Sequence, residues 1–148
     1  MTTCKDLMTA NPTCCTPDDN ATRIAKLMKI ENVGSLPICE DRGTRKLIGI
    51  VTDRDLTLEV IAAGKDPNNV KAKDVMTRDP ITCLPEDTLQ VALDRMVVHQ
   101  IRRIPVTDNY GRLVGIIAQA DLARRKDQRE KVAELVEEVS RPSTVGTA

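Results

Sequence analysis

The chain has 148 residues, of which 41% are apolar and 30% are charged, and its 22 Lys and Arg residues balance its 22 Asp and Glu residues. A net charge of zero argues against a broad electrostatic surface for nucleic acid, and a single aromatic residue, Tyr110, argues against stacking on bases. No apolar run approaches the ~20 residues that span a bilayer, and the N-terminus lacks a signal peptide. We therefore expect a cytoplasmic protein without nucleic-acid or membrane partners.

The two halves of the chain carry the same sequence pattern. Residues 5–43 align without gaps with residues 73–111, and the first copy then has two extra residues before Leu47. Self-similarity of this kind indicates a duplicated domain, and two copies are too few for a solenoid. The identical pairs include Lys5/Lys73, Asp6/Asp74, Met8/Met76, Thr9/Thr77, Pro37/Pro105 and Asp55/Asp121.

Each copy is predicted to begin with a short helix and a short strand. In the first copy, residues 6–9 favour a lead-in helix that stops before Pro12, and residues 13–16 favour a strand. Asp19 is a candidate N-cap for the helix that follows. The equivalent features of the second copy are residues 74–77, Pro80, residues 81–84 and Asp87.

The helix after this N-cap is amphipathic in both copies. Apolar residues recur with the spacing i, i+3, i+4, i+7, which predicts one buried face in each helix. The predicted buried residues are Ala21, Ile24, Ala25 and Met28 in the first copy, and Leu89, Ala92, Leu93 and Met96 in the second.

A two-stranded hairpin and a second helix complete each copy. In the first copy, residues 36–39 and 47–51 are predicted strands, a helix begins near Asp53, and Gly64 is suited to the position just after its end. The resulting order is β-α-β-β-α, which belongs to the mixed α/β (α+β) class. The equivalent features of the second copy are residues 104–107, residues 113–117 and Gln119.

About 50 residues is too few for a secure isolated core. We therefore expect the two copies to pack sheet to sheet around a pseudo-twofold axis, with clefts between them. The predicted bounds are residues 1–64 for the first domain, 65–71 for a linker, 72–124 for the second domain, and 125–148 for an amphipathic helix with a frayed tail.

The recurring motifs resemble a known family. The order Asp-x-Met-Thr, then hydrophobic-Pro-hydrophobic, then Gly-h-h-Thr-x-x-Asp (h, hydrophobic) resembles the CBS domain, and the tandem pair between Cys4 and about Leu122 resembles a stand-alone bacterial Bateman module. The resemblance implies a non-catalytic regulatory module that binds an adenine nucleotide (AMP, ADP or ATP), NAD or S-adenosylmethionine in the cleft between the domains. It also implies a homodimer, a role in stress or energy sensing, and an unidentified effector protein.

The strongest candidate site lies where the third strand of the first copy ends and a helix begins. A helix N-terminus and the Thr52 hydroxyl suit phosphate, the Asp55 carboxylate can accept from ribose hydroxyls, and Ile50 can pack against adenine. The same Thr-x-x-Asp spacing also predicts a capping box, so both interpretations stay open. By the family resemblance, Ile81, Arg102 and Arg103 of the second copy supply the other half of this site.

A second, weaker site is expected by the same resemblance from Thr13, Ser35, Leu36 and Asp121. Ala118 stands there in place of the threonine, and Gly34 and Ser35 stand in place of the two arginines, so the phosphate donors are lost.

No catalytic constellation is visible in the sequence, and no catalytic cofactor is expected. His99 is the single histidine and has no recognisable nucleophile partner, and the five cysteines lack zinc-finger spacing, so no metal site is expected. An alternative function is a structural or redox-responsive dimer without a ligand. It rests on Cys14 and Cys39, which lie on predicted neighbouring strands where a disulfide is sterically allowed.

The predicted dimer uses apolar helix faces that a small two-layer module cannot bury internally. The residues concerned are Leu56, Leu58, Val60 and Ile61, followed by Leu122, Val132 and Leu135.

Overall fold

The computed structural model describes residues 2–123, which fold into two compact units, each combining segments from both sequence copies. Unit 1 contains residues 2–10, 81–106 and 115–123, and unit 2 contains residues 11–80 and 107–114. The predicted C-terminal helix and tail, residues 125–148, lie outside the described residues, as do Val132 and Leu135 of the predicted dimer face.

Helices and strands alternate along the chain, which confirms the mixed α/β class. The helices are α1 (Cys4–Leu7), α2 (Ala21–Glu31), α3 (Asp53–Leu56), α4 (Ala72–Val75), α5 (Leu89–His99) and α6 (Gln119–Ala123), with a π-helical turn (Thr57–Ile61) directly after α3. The strands are β1 (Thr9–Ala10), β2 (Ser35–Cys39), β3 (Leu47–Thr52), β4 (Thr77–Arg78), β5 (Arg103–Thr107) and β6 (Leu113–Ala118).

Unit 2 is built on the antiparallel sheet β2-β3-β4. In the β2–β3 pair, Ser35 lies opposite Thr52, and Gly49 of β3 pairs on the other edge with Arg78 of β4. The short strand β4 comes from the lead-in segment of the second copy, so this segment extends the sheet of the first copy.

Helix α2 covers the sheet of unit 2 through a stripe that is shifted around the helix from the predicted one. Ala21, Ile24 and Met28 are buried as predicted, whereas Ala25 is exposed and Leu27 packs against the core instead. Ala25 and Leu27 flank the stripe on opposite sides, and burial of the larger side chain removes more apolar surface from water.

Unit 1 contains the second sheet, in the order β1-β6-β5. Thr9 and Ala10 of the first lead-in segment pair with Ile116 and Gly115 of β6, so each lead-in segment joins the sheet of the other copy. The four apolar residues predicted on the buried face of α5 are all buried: Leu89, Ala92, Leu93 and Met96.

The strands predicted at residues 13–16 and 81–84 are not formed. In each segment a single residue, Cys15 or Cys83, makes an isolated β-bridge. In the first copy the reason is Asp19, whose carboxylate accepts from the Thr16 N–H at 2.8 Å and closes a turn. Asp19 is therefore not the N-cap of α2, and Asn20 takes that role by accepting from the Arg23 N–H at 2.9 Å. The second copy repeats the correction, with Asp87 accepting from the Leu84 N–H and Thr88 capping α5.

The helix after β3 ends earlier than predicted, because Ala62 is its C-cap and Gly64, with a φ of +69°, lies two residues beyond that cap. Fewer apolar side chains are exposed on this helix than the sequence predicts. Leu56 and Val60 are buried in unit 2, while Leu58 and Ile61 stay exposed at 45% and 74%. In unit 1, Leu122 is also buried, so it is not part of an exposed dimer face.

Candidate functional site

Thr52 and Asp55 form a reciprocal cap at the junction of β3 and α3. The Thr52 N–H donates to Asp55 Oδ2 at 2.8 Å, and the Asp55 N–H donates to Thr52 Oγ1 at 3.1 Å. Both residues are half-buried. The capping box is therefore formed, and it fixes the position of both side chains that the sequence assigns to ligand binding.

The other N–H groups at this junction are also hydrogen-bonded. Asp53 donates its N–H to the Gly34 carbonyl at 2.8 Å, and Arg54 donates its N–H to Asp53 Oδ1 at 2.8 Å. The start of α3 therefore does not offer these N–H groups unpaired to a phosphate, since each already has an acceptor within the protein. Side chains such as the Thr52 hydroxyl and the Asp55 carboxylate are what this junction offers to a ligand.

Of the residues that the sequence assigns to the weaker site, Ser35 lies beside this cap. Ser35 is directly opposite Thr52 in the β2–β3 ladder, so the two side chains share one face of the sheet. Leu36, in contrast, is 2% exposed and belongs to the core. The Thr13 hydroxyl donates to Glu31 Oε1 at 2.6 Å. Ser35, Thr52 and Asp55 thus form a polar cluster in unit 2, with half-buried Ile50 on the same strand.

Unit 1 holds the remaining predicted site residues. Arg102 is exposed and Arg103 is half-buried at the start of β5. The Arg102 carbonyl accepts from the Gln119 N–H at 2.9 Å, which matches the bond between Gly34 and Asp53 in unit 2. Asp121 is 7% exposed and accepts from the Ala118 N–H at 2.8 Å. Ile81 is half-buried.

The predicted main site thus divides between the two units. Unit 2 contains its first-copy residues, Ile50, Thr52 and Asp55, and unit 1 contains its second-copy residues, Ile81, Arg102 and Arg103. The equivalent positions differ in charge, since Asp53 beside Gly34 corresponds to Gln119 beside Arg102. The junction in unit 2 therefore carries the carboxylates of Asp53 and Asp55 beside Arg54, and the junction in unit 1 carries Arg102 and Arg103 beside the Asp121 carboxylate.

All five cysteines are free thiols, so the predicted Cys14–Cys39 disulfide is not formed in this structure. Cys14 and Cys39 nevertheless lie on neighbouring segments, since the Cys39 N–H donates to the Cys15 carbonyl at 2.8 Å. Contact with the Cys39 thiol, reinforced by the positive charges of Arg45 and Arg42, lowers the pKa of the Cys14 thiol to about 6. The same contact and burial raise the pKa of Cys39.

Arg45 is a charged residue near Cys14 that the sequence analysis did not single out. Its Nη2 donates to the Pro12 carbonyl at 2.7 Å and its Nε to the Leu113 carbonyl at 3.4 Å. Arg45 has a φ of +57°. It lies in the stretch where the first copy has two extra residues, and this break in the repeat was the signal that could have identified it.

Among residues 2–123, no group of three or more His, Cys, Asp or Glu side chains is arranged to hold a metal ion. None of the helices within the same range is long and apolar enough to cross a membrane.

Comparison with known sequences identifies the family. The family model described as "CBS domain" matches residues 4–62 and 72–127. The chain is 41% identical over 140 residues to Uncharacterized protein YlbB of Bacillus subtilis, covering 95% of this chain and 93% of that protein. It is 41% identical over 125 residues to Hypoxic response protein 1 of Mycobacterium tuberculosis, covering 84% of this chain and 85% of that protein.

Solved structures show the same fold. Hypoxic Response Protein I with two coordinated zinc ions matches with a TM-score of 0.76 and 38% identity over 84% of this chain and 98% of that one. CBSX2 in complex with AMP matches with a TM-score of 0.73 and 25% identity over 88% and 99%. The CBS domain pair of protein MJ0100, in complex with 5'-methylthioadenosine and S-adenosylmethionine, matches with a TM-score of 0.70 and 29% identity over 84% and 94%.

Proposed function

Because this chain belongs to the CBS domain family, we propose that it is a regulatory module that binds an adenosine-containing ligand and has no catalytic activity of its own. The observation that carries the proposal is the polar cluster of Ser35, Thr52 and Asp55 at the end of β3. The reciprocal cap holds the Asp55 carboxylate in place before any ligand arrives, and such preorganisation lowers the ordering cost of binding.

The ligand class follows from what the ligands of the similar proteins share. AMP, 5'-methylthioadenosine and S-adenosylmethionine all contain an adenine and a ribose but differ at the 5' position. In this chain, Asp55 is suited to the ribose, since a carboxylate can accept from two adjacent hydroxyls. Half-buried Ile50 is suited to the face of the adenine.

Phosphate groups of a nucleotide are assigned to Arg102 and Arg103. A guanidinium carries five N–H donors in a planar fork that matches phosphate oxygens, whereas the N–H groups around Thr52 are already bonded within the protein. Ile81 is assigned to the apolar surface that meets the base. AMP, ADP, ATP and NAD remain the candidate ligands that carry phosphate, and S-adenosylmethionine is the candidate without it.

A second site built around Asp121 is proposed to be weaker. Ala118 has no hydroxyl, so the cap there consists of the Asp121 carboxylate alone. Among the first-copy residues assigned to it, Leu36 is buried in the core and the Thr13 hydroxyl is bonded to Glu31. Ser35 is the one that lies in a half-exposed polar cluster.

The proposed output is a change in a surface that an effector protein reads, since binding can shift an equilibrium only through different affinities for two states. We further propose a homodimer, with Leu58 and Ile61 at its interface because they are the exposed large apolar residues after α3. A role in stress or energy sensing agrees with the name of the mycobacterial relative, Hypoxic response protein 1.

A thermal-shift series with adenosine, AMP, ATP, 5'-methylthioadenosine and S-adenosylmethionine tests the proposal, with guanosine and GMP as matched controls. At least one adenosine compound should raise the unfolding temperature in a dose-dependent way, because binding to the folded state stabilises it. Equal shifts with the guanine and adenine compounds would show that the site does not select adenine.

A further inference from the structure

An open groove of about 450 Å³ lies on unit 2 at the tips of the two hairpins. The loop between β2 and β3 contributes Glu40, Thr44 and Lys46 to it, and the loop between β5 and β6 contributes Tyr110 and Arg112. All five residues are exposed. This hairpin groove lies at the opposite end of β3 from the capping box, so it is separate from the proposed ligand site.

Backbone hydrogen bonds join the two hairpin loops that form the groove. Lys46 and Arg112 make an antiparallel β-bridge, and in the adjacent pair the Leu113 N–H donates to the Arg45 carbonyl at 2.8 Å. The loops of the two sequence copies are therefore held side by side before any partner binds. A surface that is already ordered loses less conformational freedom when it binds.

The Arg112 side chain is fixed in the groove by two neighbours. Its Nε donates to Asp108 Oδ2 at 2.7 Å, and its guanidinium carbon lies 5.1 Å from the centre of the Tyr110 ring. Within residues 2–123 the two terminal nitrogens of this guanidinium donate to no protein acceptor. They are therefore the donors that Arg112 offers to a binding partner.

Tyr110 is the single aromatic residue of the chain, and it is 77% exposed. Tyrosine and arginine are enriched among the residues that dominate binding energy in protein interfaces, and a tyrosine offers both an apolar ring and a polar hydroxyl. Sites for small molecules enclose most of the ligand surface, whereas this groove is lined by exposed side chains. The groove therefore fits a protein segment better than a small molecule.

The charges around the groove favour a carboxylate on that segment. Asp41 accepts from the Thr44 N–H at 2.6 Å and Asp108 is paired with Arg112, so both carboxylates stabilise their own loops. The Lys46 side chain, in contrast, makes no ion pair in the part of the chain that the structure describes. Its ammonium group and the Arg112 guanidinium can each bind a carboxylate.

We propose that the hairpin groove is the surface on which an effector protein docks, through an acidic segment of that protein. Lys46 and Arg112 bind the carboxylates of the segment, and the Tyr110 ring packs against an apolar side chain beside them. Glu40, at the edge of the groove, accepts from a hydroxyl or an N–H of the same segment. The existence of an effector rests on the proposed function, whereas docking at the groove needs no nucleotide.

NMR titration of the full chain, labelled with nitrogen-15, tests the site and its ligand class. The probe is an acetylated hexapeptide of four glutamates and two leucines, with glutamine in place of glutamate in the control peptide. The glutamate peptide should shift the amide signals of residues 40–46 and 108–113, and the glutamine peptide should not. No shift at millimolar peptide, or shifts spread over basic residues elsewhere, would overturn the proposal.

Two further arms distinguish the acidic segment from other occupants. Inorganic phosphate that shifts the same signals as strongly would make the groove a site for free anions, and shifts that follow protein concentration alone would assign it to a second copy of the chain. Either result would overturn docking of an acidic segment.

Lys46→Gln should weaken binding of the glutamate peptide by about two- to fivefold, the range expected for one exposed ion pair. Lys26→Gln is the matched control, since Lys26 is also exposed but lies on α2, and it should bind the peptide as the wild type does. Equal weakening in both variants would contradict a specific role for the groove. Thermal shifts with adenosine compounds should be the same in Lys46→Gln and the wild type, so a failure of the groove and a failure of the nucleotide site appear in different measurements.

Discussion

Thr52 and Asp55 each hold the other's backbone, with N–H to side-chain oxygen distances of 2.8 and 3.1 Å. At the equivalent position of the second copy, Asp121 caps the Ala118 N–H at 2.8 Å, but Ala118 has no hydroxyl with which to return the bond. The duplicated chain therefore contains one complete cap and one half of a cap. The complete one stabilises the start of α3 and fixes the Asp55 carboxylate that we propose contacts a ribose.

Thr52→Ala should lower the free energy of unfolding by about 1 kcal/mol, since it leaves the Asp55 N–H without its acceptor. Thr52→Ser keeps that hydroxyl and should stay close to wild type. Urea denaturation followed by circular dichroism measures both. A loss of equal size in the two variants would assign the effect to the missing methyl group and not to the cap.

Arg102→Ala should weaken the binding of ATP by about tenfold or more and leave adenosine nearly unaffected, because a charge-assisted hydrogen bond contributes about 1.5–3 kcal/mol. The substitution keeps the Arg102 carbonyl that accepts from Gln119, and its side chain is exposed, so the fold should be preserved. Calorimetric titration with the two ligands gives the comparison. If adenosine and ATP weaken by the same factor, Arg102 does not contact phosphate.

Ile61→Lys should convert the proposed dimer to a monomer without unfolding it. Ile61 is 74% exposed after α3, and a charge there conflicts with burial in an interface. Ile30→Lys is the matched control, since Ile30 is equally exposed but lies on α2. Light scattering at micromolar concentration reports the mass of each variant. If the wild type is a monomer, or if both substitutions dissociate the dimer alike, the helix after β3 is not the dimer interface.

Gly49→Ala should destabilise the protein by about 1–3 kcal/mol. A Cβ at this position would lie 2.7 Å from Met76 Sδ and 3.0 Å from the Thr77 carbonyl oxygen, which is backbone and cannot turn away. The equivalent Gly115→Ala would place a Cβ 2.7 Å from Met8 Cγ and 3.0 Å from Met8 Cβ, which is fixed to the backbone, so it should destabilise the protein as well. Thermal unfolding measures both losses, and a variant as stable as the wild type would contradict this explanation.

The sequence predicted the elements that occur in both copies and have a clear hydrophobic pattern. The α5 stripe, the hairpin strands and the helix starts at Asp53 and Gln119 were all predicted, because each occurs twice and each has a clear pattern. The pairing of β1 with β6 and of β4 with β3 was not predicted. A two-residue strand shows no alternation, and a repeat does not reveal which copy a segment joins.

The candidate site was predicted in part for a related reason. The spacing of Thr52 and Asp55 predicted the capping box, since a capping box depends only on residues that are close in sequence. The hydrogen bond from the Asp53 N–H to the Gly34 carbonyl is made across the hairpin. No local sequence pattern predicts it. For that reason the sequence analysis treated the N–H groups at the start of α3 as available to phosphate, whereas in the folded protein they are hydrogen-bonded to other protein groups.

Calorimetric titration of AMP into the wild-type protein, Asp55→Ala and Asp121→Ala tests the adenosine site most directly. Circular dichroism must accompany it, because both carboxylates also cap a helix start. The account predicts binding by the wild type, a loss of at least about tenfold in Asp55→Ala, since a hydrogen bond to a charged group contributes about 1.5–3 kcal/mol, and a much smaller loss in Asp121→Ala. Equal losses in two folded variants would contradict the asymmetry between the copies, and no binding of any adenosine compound to the wild type at millimolar concentration would contradict the proposed function itself.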